Sequence, residues 1–337
     1  MDPLTVVKLA RTLVDIDSTT GREAEVSVFL AQYLRNLGWD VIEQPLPRGC
    51  SNVYARLRPD PVIAFSTHVD CVPPFFPSRE EQGRIYGRGA CDAKGVLAAQ
   101  IAAAERLRQQ GEDCVALLFV AGEERGSDGA MLADTLDVPK THFLVNGEPT
   151  DNRLGIATRG VLRLTFTARG RAAHSAYPEL GVSAIEKMLE ALFRLRGLVF
   201  PEDILLGRTT YNVGTIQGGV APNVIPPECT AEVLFRTVGP LRPIWDNLTV
   251  LRELVDIEPV LEVPMVRLEV VRGIQTEAFS FTTDLPFLRS WGRPLLIGPG
   301  SILVAHTMEE FLAIDALHEA VDLYATIGAE VLEHGVA

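Results

Sequence analysis

The chain has 337 residues, room for two domains at roughly 100–200 residues each, and its 47% hydrophobic and 22% charged content is that of an ordinary globular protein. A formal net charge of −13 leaves no excess of lysine and arginine to neutralise phosphates, which argues against a nucleic-acid partner. No apolar run reaches the roughly 18 residues of a membrane span, Met-Asp-Pro-Leu at the amino terminus does not read as a secretory signal, and the 5 cysteines are dispersed with no Cys-x-x-Cys pair, so the expected setting is a reducing cytoplasm.

Residues 3–17 and 22–38 carry apolar side chains at helical spacing, with Asp17-Ser18-Thr19-Thr20-Gly21 as the break and Thr20 and Glu23 placed for a capping box. Strand-like runs follow at 52–57 and 61–67. The second run stops at His68, and Asp70 lies two residues on. Side chains two apart in an extended segment share a face, so the carboxylate can accept one imidazole N–H and leave the other nitrogen for a metal. Gly87-Arg88-Gly89-Ala90-Cys91-Asp92-Ala93-Lys94-Gly95 then opens into an alanine-rich helix from about Val96 to Gln109.

The apolar run from Cys114 to Val120 ends at Ala121-Gly122-Glu123-Glu124, and the run from His142 to Val145 ends at Asn146-Gly147-Glu148-Pro149-Thr150. Short buried-type strands alternating with helices indicate an α/β domain with a mostly parallel sheet, whose ligands sit beyond the carboxyl ends of the strands. His68, Glu123, Glu124 and Glu148 all lie at such ends.

From about Arg159 the texture changes. Val161–Ala168 alternates, 181–197 is helical, Tyr211–Gln217 and Thr230–Arg236 alternate, 243–256 is helical and Val266–Val271 is a last strand. The order βαββαβ indicates an inserted ferredoxin-like α+β domain. The expected organisation is a catalytic domain of residues 1–158 and 272–337 around a lid or dimerisation domain of 159–271. Pro294–Ile297 reads as one more short strand, followed by Gly298-Pro299-Gly300-Ser301 and His306, and a closing helix runs over 308–333.

His68, Asp92, Glu124, Glu148 and His306 supply two imidazoles and three carboxylates, a nitrogen and oxygen set suited to zinc, cobalt or manganese. They are more than one tetrahedral ion with an open position needs, but they suit two ions sharing a bridge, which in hydrolytic sites lie roughly 3.5–4 Å apart. Glu123 and Glu124 are adjacent and cannot both reach one ion from a regular strand. One as ligand and its neighbour as general base is the economical division.

His68-x-Asp70, Gly87-Arg88-Gly89-x-x-Asp92-x-Lys94-Gly95, Glu123-Glu124, Gly147-Glu148-Pro149-Thr150 and Gly298-Pro299-Gly300-Ser301 to His306 together resemble the M20 family of metallohydrolases over nearly the whole chain. Within it, the last motif and Glu148-Pro149-Thr150 look most like acetylornithine deacetylase and related N-acetyl-amino-acid deacetylases. The resemblance implies that Asp92 bridges two divalent ions, zinc or cobalt, with His68 and Glu148 on one and Glu124 and His306 on the other. Asp70 would orient His68, and Glu123 would take the proton from the bridging water and deliver it to the leaving amine. His174, in Gly170-Arg171-Ala172-Ala173-His174, matches a histidine the family brings from the inserted domain, usually of the partner subunit, to the oxyanion. Asn223, Arg236, Gly300 and Ser301 match substrate-binding positions.

The implied partner is a small N-acyl amino acid, with no nucleic acid or membrane, in a homodimer formed through the inserted domain. The leading expectation is removal of an N-acetyl group from an amino acid such as N-acetylornithine or N-acetyl-lysine. Alternatives are succinyl-diaminopimelate, a dipeptide or a carboxypeptidase-type substrate. A metal-free binding protein on the same fold fits poorly, because all five ligand positions carry competent residues.

Overall fold

The structure, a computed structural model, describes residues 3–334. The chain divides into two compact units. One comprises the chain up to Ile156, Arg267–Glu277 and the segment from Thr283 onward, and the other comprises Ala157–Val266 with Ala278–Thr282.

The first unit is built on a six-stranded sheet in the order Asp40–Pro45, Ser51–Arg56, Val115–Val120, Ile63–His68, Phe143–Asn146 and Arg293–Leu296. Its last four strands run parallel, whereas Ser51–Arg56 is antiparallel to both of its neighbours, so the sheet is mixed. Ile63–His68 and Val115–Val120 are buried along their whole length. Their unbroken apolar sequences are what a strand covered on both faces requires. Phe65 packs on Tyr324 of the closing helix with ring centroids 5.4 Å apart, while Tyr54 packs on Trp291 at 5.4 Å. Tyr54 aligns with Leu118, and Ala55 with Leu117 and hence Phe65, so these two aromatic contacts lie on opposite faces of the sheet.

Parallel pairing in register sets the site. His68 aligns with Val120, and Ser66 with Asn146. The chain therefore leaves three neighbouring strands along one edge, where the turns bearing His68, Glu123–Glu124 and Glu148 emerge together.

Several local expectations are corrected. The strand Asp40–Pro45 has no signal in the sequence, because its Asp-Val-Ile-Glu-Gln-Pro pattern is that of a half-exposed edge strand and lacks a continuous apolar run. The Thr20–Glu23 capping box does not form. Glu23 takes the Gly21 N–H at 2.9 Å instead, and the Thr20 hydroxyl donates to the Cys71 carbonyl at 3.5 Å. The closing helix begins at Ile314 rather than 308, because Phe311–Ala313 is drawn into a strand against Arg84–Tyr86.

The second unit is an antiparallel sheet in the order Thr210–Gly218, Glu228–Thr237, Gly160–Arg169 and Asp256–Val263, carrying the helices Ala184–Leu195 and Arg242–Leu248. Ala184, Met188, Ala191 and Leu195 are the buried stripe of the longer helix, and Ser183 caps it by accepting the Glu186 N–H at 3.2 Å. The final strand lies at 256–263, ahead of the expected 266–271, and the second helix ends at Leu248. Pro259 obscured the strand, since proline is excluded from sheet interiors. It is tolerated because this strand is at the sheet edge with a register shift between Pro259 and Leu261. Among the described residues no helix is long and apolar enough to cross a membrane.

Candidate metal centre

Each acidic or imidazole group of the centre leaves the end of a strand or a tight turn in the first unit. His68 ends its strand with only 1% of its side chain exposed. Its Nδ1 lies 2.9 Å from the Asp70 main-chain carbonyl. A carbonyl only accepts, so Nδ1 carries a proton, and Nε2 is the nitrogen left to face Asp92 and an incoming cation. Asp92 sits in the turn Ala90–Lys94, its own peptide to Ala93 being cis.

Gly122 turns the chain out of Val115–Val120 at φ +86°, where a Cβ would lie 2.1 Å from an Asp128 oxygen. The left-handed backbone and the close carboxylate both call for glycine. Glu123 and Glu124 follow on a single 3-10 turn. Glu148 lies two residues beyond Phe143–Asn146, and His306 occupies a loop position at φ +65°, unusual for a side chain with a Cβ.

These groups meet around Asp92. Its Oδ1 is 3.0 Å from His68 Nε2, and its Oδ2 is 3.2 Å from His306 Nε2. Glu148 Oε2 stands 4.0 Å from His68 Nε2, and Glu124 Oε1 stands 2.8 Å from His306 Nε2. The outcome is two donor clusters, His68–Asp92–Glu148 and Asp92–Glu124–His306, whose ligand atoms lie within 4.8 Å of one another in each. Glu148 Oε1 is buried with no hydrogen-bond partner. An orphaned carboxylate oxygen among imidazoles, with one carboxylate facing both clusters, fits a pair of divalent cations.

The electrostatics agree. Burial alone would raise Asp92, but its hydrogen bonds to His306 and His68 hold it well below the usual carboxylate range. Burial raises Glu148, with His68 opposing and Asp92 adding. Burial also raises Glu123 well above its ordinary value, and the charges of Glu148 and Asp284 add to that. Asp284, which nothing in the sequence singled out, is itself pushed up to about 7 by burial.

His306 is pushed up to about 10, first by its hydrogen bonds to Asp92 and Glu124. Below that pH the cation-free imidazole carries a proton that an incoming cation must displace. Zinc affinity should therefore rise with pH toward about 10, with a proton released on binding. Calorimetric titration in buffers of different ionisation enthalpy checks this. An affinity that ignores pH, with a heat that ignores the buffer, would contradict it.

The expected contact between His68 Nδ1 and the Asp70 carboxylate is made by the Asp70 main-chain carbonyl instead, and the carboxylate serves the next turn. Its Oδ1 is 3.6 Å from His68 Nδ1, but it accepts the Gly122 and Glu123 N–H groups at 2.8 and 3.1 Å, and Oδ2 accepts that of Glu124 at 3.2 Å. One buried carboxylate thus fixes the turn that presents both glutamates.

Gly300 and Ser301 lie in the same unit, in the loop before His306, where Thr150 and Ser301 form a bridge. His174, Asn223 and Arg236 belong to the second unit. There His174 bridges Val224, and Ser175 N–H donates to the Asn223 carbonyl at 3.0 Å, so the first two of these residues are neighbours. His174 Nδ1 accepts the Ala176 N–H at 3.1 Å, which leaves Nε2–H free to donate. Arg236 is half-buried on its strand, with no acceptor among the described residues, and the charge of Arg159 close by adds to the burial that lowers it.

Besides Asp284, two more buried charged residues lie beside the centre, Arg88 and Glu310. In the sequence Arg88 stands out only as part of its glycine-rich stretch, and the one signal for Glu310 is its place four residues after His306.

Residues 156–257 match the family model of a peptidase dimerisation domain, and residues 52–154 match that of peptidase family M28. A peptidase M20 domain-containing protein of Schizosaccharomyces pombe is 36% identical, the match covering 95% of this chain and 83% of that protein. A probable carboxypeptidase of Aspergillus clavatus is 36% identical, over 96% of this chain and 82% of the relative. Among solved structures, the YXEP protein of Bacillus subtilis, described as a dinuclear metal-binding peptidase from the M20 family, superposes with a TM-score of 0.77 at 17% identity, covering 98% of each chain.

Proposed function

The chain belongs to the M20 peptidase family, and we propose that it is a peptidase with two divalent cations, zinc in first place, that hydrolyses short peptides beside a free C-terminal carboxylate. The observation that carries the reading is Asp92, whose two oxygens reach separate histidines belonging to separate donor clusters.

His68, Asp92 and Glu148 would hold one cation, and Asp92, Glu124 and His306 the other. Cations there would polarise the scissile carbonyl and make a water acidic enough to attack it near neutral pH. Glu123 is the proton carrier. Its carboxylate, made more basic by burial among other carboxylates, takes a proton from the attacking water and passes it to the leaving amine. Asp70 keeps Glu123 in place through the turn and keeps His68 in the tautomer that offers Nε2. In a dimer, the free Nε2–H of His174 from the partner copy would donate to the developing oxyanion. Asn223, Gly300 and Ser301 would line the substrate.

Two features support a peptide with a free carboxylate. The relatives named probable carboxypeptidases match the chain over nearly its whole length, and Arg236 offers an unengaged guanidinium, a fork that suits a carboxylate. An N-acetyl amino acid carries the same amide and the same α-carboxylate, and the motifs Glu148-Pro149-Thr150 and Gly298 to His306 favour it as the second reading.

The test is an activity panel after chelation and zinc restoration. Dipeptides and amino-blocked short peptides should be cleaved with a kcat/KM at least about tenfold above that for N-acetylornithine and N-acetyl-lysine. The reverse order would replace the peptide reading with the deacetylase one. No amide hydrolysis after zinc restoration would end the enzyme reading.

A further inference from the structure

Arg88 and Glu310 are both about 1% exposed in their side chains and form an ion pair at 2.6 Å. A buried ion pair is a poor device for stability alone, because desolvation of both charges offsets most of their attraction. Its contacts suggest another use. Glu310 Oε2 accepts from Arg88 Nη1, while Oε1 accepts the main-chain N–H groups of Cys91 and Asp92, each at 3.3 Å. The Glu310 carbonyl accepts the Gly87 N–H at 3.1 Å. One residue thereby holds both the turn of Asp92 and the stretch leading into it at Gly87.

Arg88 reaches further. Nη2 donates to the His306 carbonyl at 3.5 Å, and Nε donates to the Pro74 carbonyl at 3.2 Å. Its main-chain N–H donates to the Phe76 carbonyl at 3.1 Å, and its guanidinium lies 5.0 Å from the centroid of the Phe76 ring. Pro74 follows the His68–Asp70 segment. A single guanidinium, itself carried on the stretch before Asp92, therefore touches the loop that follows His68 and the loop that carries His306. The close fit of the Asp92 turn against the His306 loop shows again at Gly300, at φ +86°, where a Cβ would come within 2.6 Å of Cys91 Cβ.

We propose that Arg88 and Glu310 are positioning residues that lock the Asp92 turn to the His306 loop and so set the geometry of the Asp92–Glu124–His306 cluster. The proposal rests on the two-cation reading above. It assigns a physical origin to the second cluster, whose imidazole stands on a half-exposed loop and not at the end of a strand. The His68 cluster, seated on a sheet strand, depends on the clamp only through Asp92.

The test uses Glu310→Gln, which keeps the shape but cannot accept at both former oxygens, and Arg88→Lys, which keeps the charge but loses the fork. Zinc binding to each full-length protein is followed by calorimetry and by metal analysis after dialysis, alongside thermal melting. The parent chain should take two zinc ions. In each variant one of the two zinc ions, assigned to the Asp92–Glu124–His306 cluster, should bind at least about tenfold more weakly, the lower end for the loss of an outer partner of a ligand, while the other stays bound. Excess zinc should restore turnover in part.

Val233→Ala, in the core of the second unit, supplies the comparison. It should lower the melting temperature and leave both zinc affinities intact, as a purely structural effect would. If either variant folds and binds both ions as tightly as the parent, the clamp is refuted while the metal reading stands. If the parent chain binds no zinc, the metal reading itself fails and takes the clamp with it.

Discussion

A Glu123→Gln variant should lose about 10²–10⁴-fold in kcat and keep its full complement of zinc. Glu123 is absent from both donor clusters, so its amide leaves every ligand in place. The amide also keeps the size of the side chain and removes a charge that burial and the neighbouring Glu148 and Asp284 disfavour, so the protein should be no less stable. What the amide cannot do is accept a proton from water and return it to an amine. Steady-state kinetics with metal analysis on the same sample separates the outcomes. Undiminished turnover would remove Glu123 as the base, and lost turnover with lost zinc would make it a ligand instead.

Replacing Asp92 should have the widest effect of any single change. Its two oxygens lie 3.0 and 3.2 Å from the two imidazoles, so Asp92→Ala takes one donor from each cluster and leaves each with only two. Zinc affinity should fall by more than about 100-fold at both positions, beyond what the loss of an outer partner costs, and activity should fall below detection at ordinary zinc concentrations. Glu148→Ala is the contrast, since Glu148 belongs to one cluster only. It should weaken one ion and spare the other. An Asp92→Ala protein that still holds two ions tightly would show that Asp92 is not shared.

Both expectations depend on rigid placement, and the structure supplies it with buried carboxylates that accept main-chain N–H groups. Asp70 does this for the Glu123–Glu124 turn, and Glu310 for the Asp92 turn. A charged acceptor makes a stronger hydrogen bond than a neutral one, and each of these spans a large sequence separation. In both cases the carboxylate belongs to a different loop from the turn it fixes.

The runs along the chain already carry the layered α/β framework and the inserted βαββαβ order, through unbroken apolar stretches for strands buried on both faces and alternation for half-exposed ones. His68, Glu124 and Glu148 stand just beyond strand ends, whereas Asp92 and His306 are marked only by their resemblance to the M20 motifs. The same local reading lost Asp256–Val263 to Pro259 and lost Asp40–Pro45 to its polar edge composition, because an edge strand draws its pairing from a neighbour and not from its own pattern. Two features appear only in the folded chain: Asp70 clamps the glutamate turn, and Arg88 meets Glu310 across more than two hundred residues of chain. These are long-range hydrogen bonds in a water-poor interior. Their partners are chosen by the packing of loops against one another, which no spacing along the chain encodes.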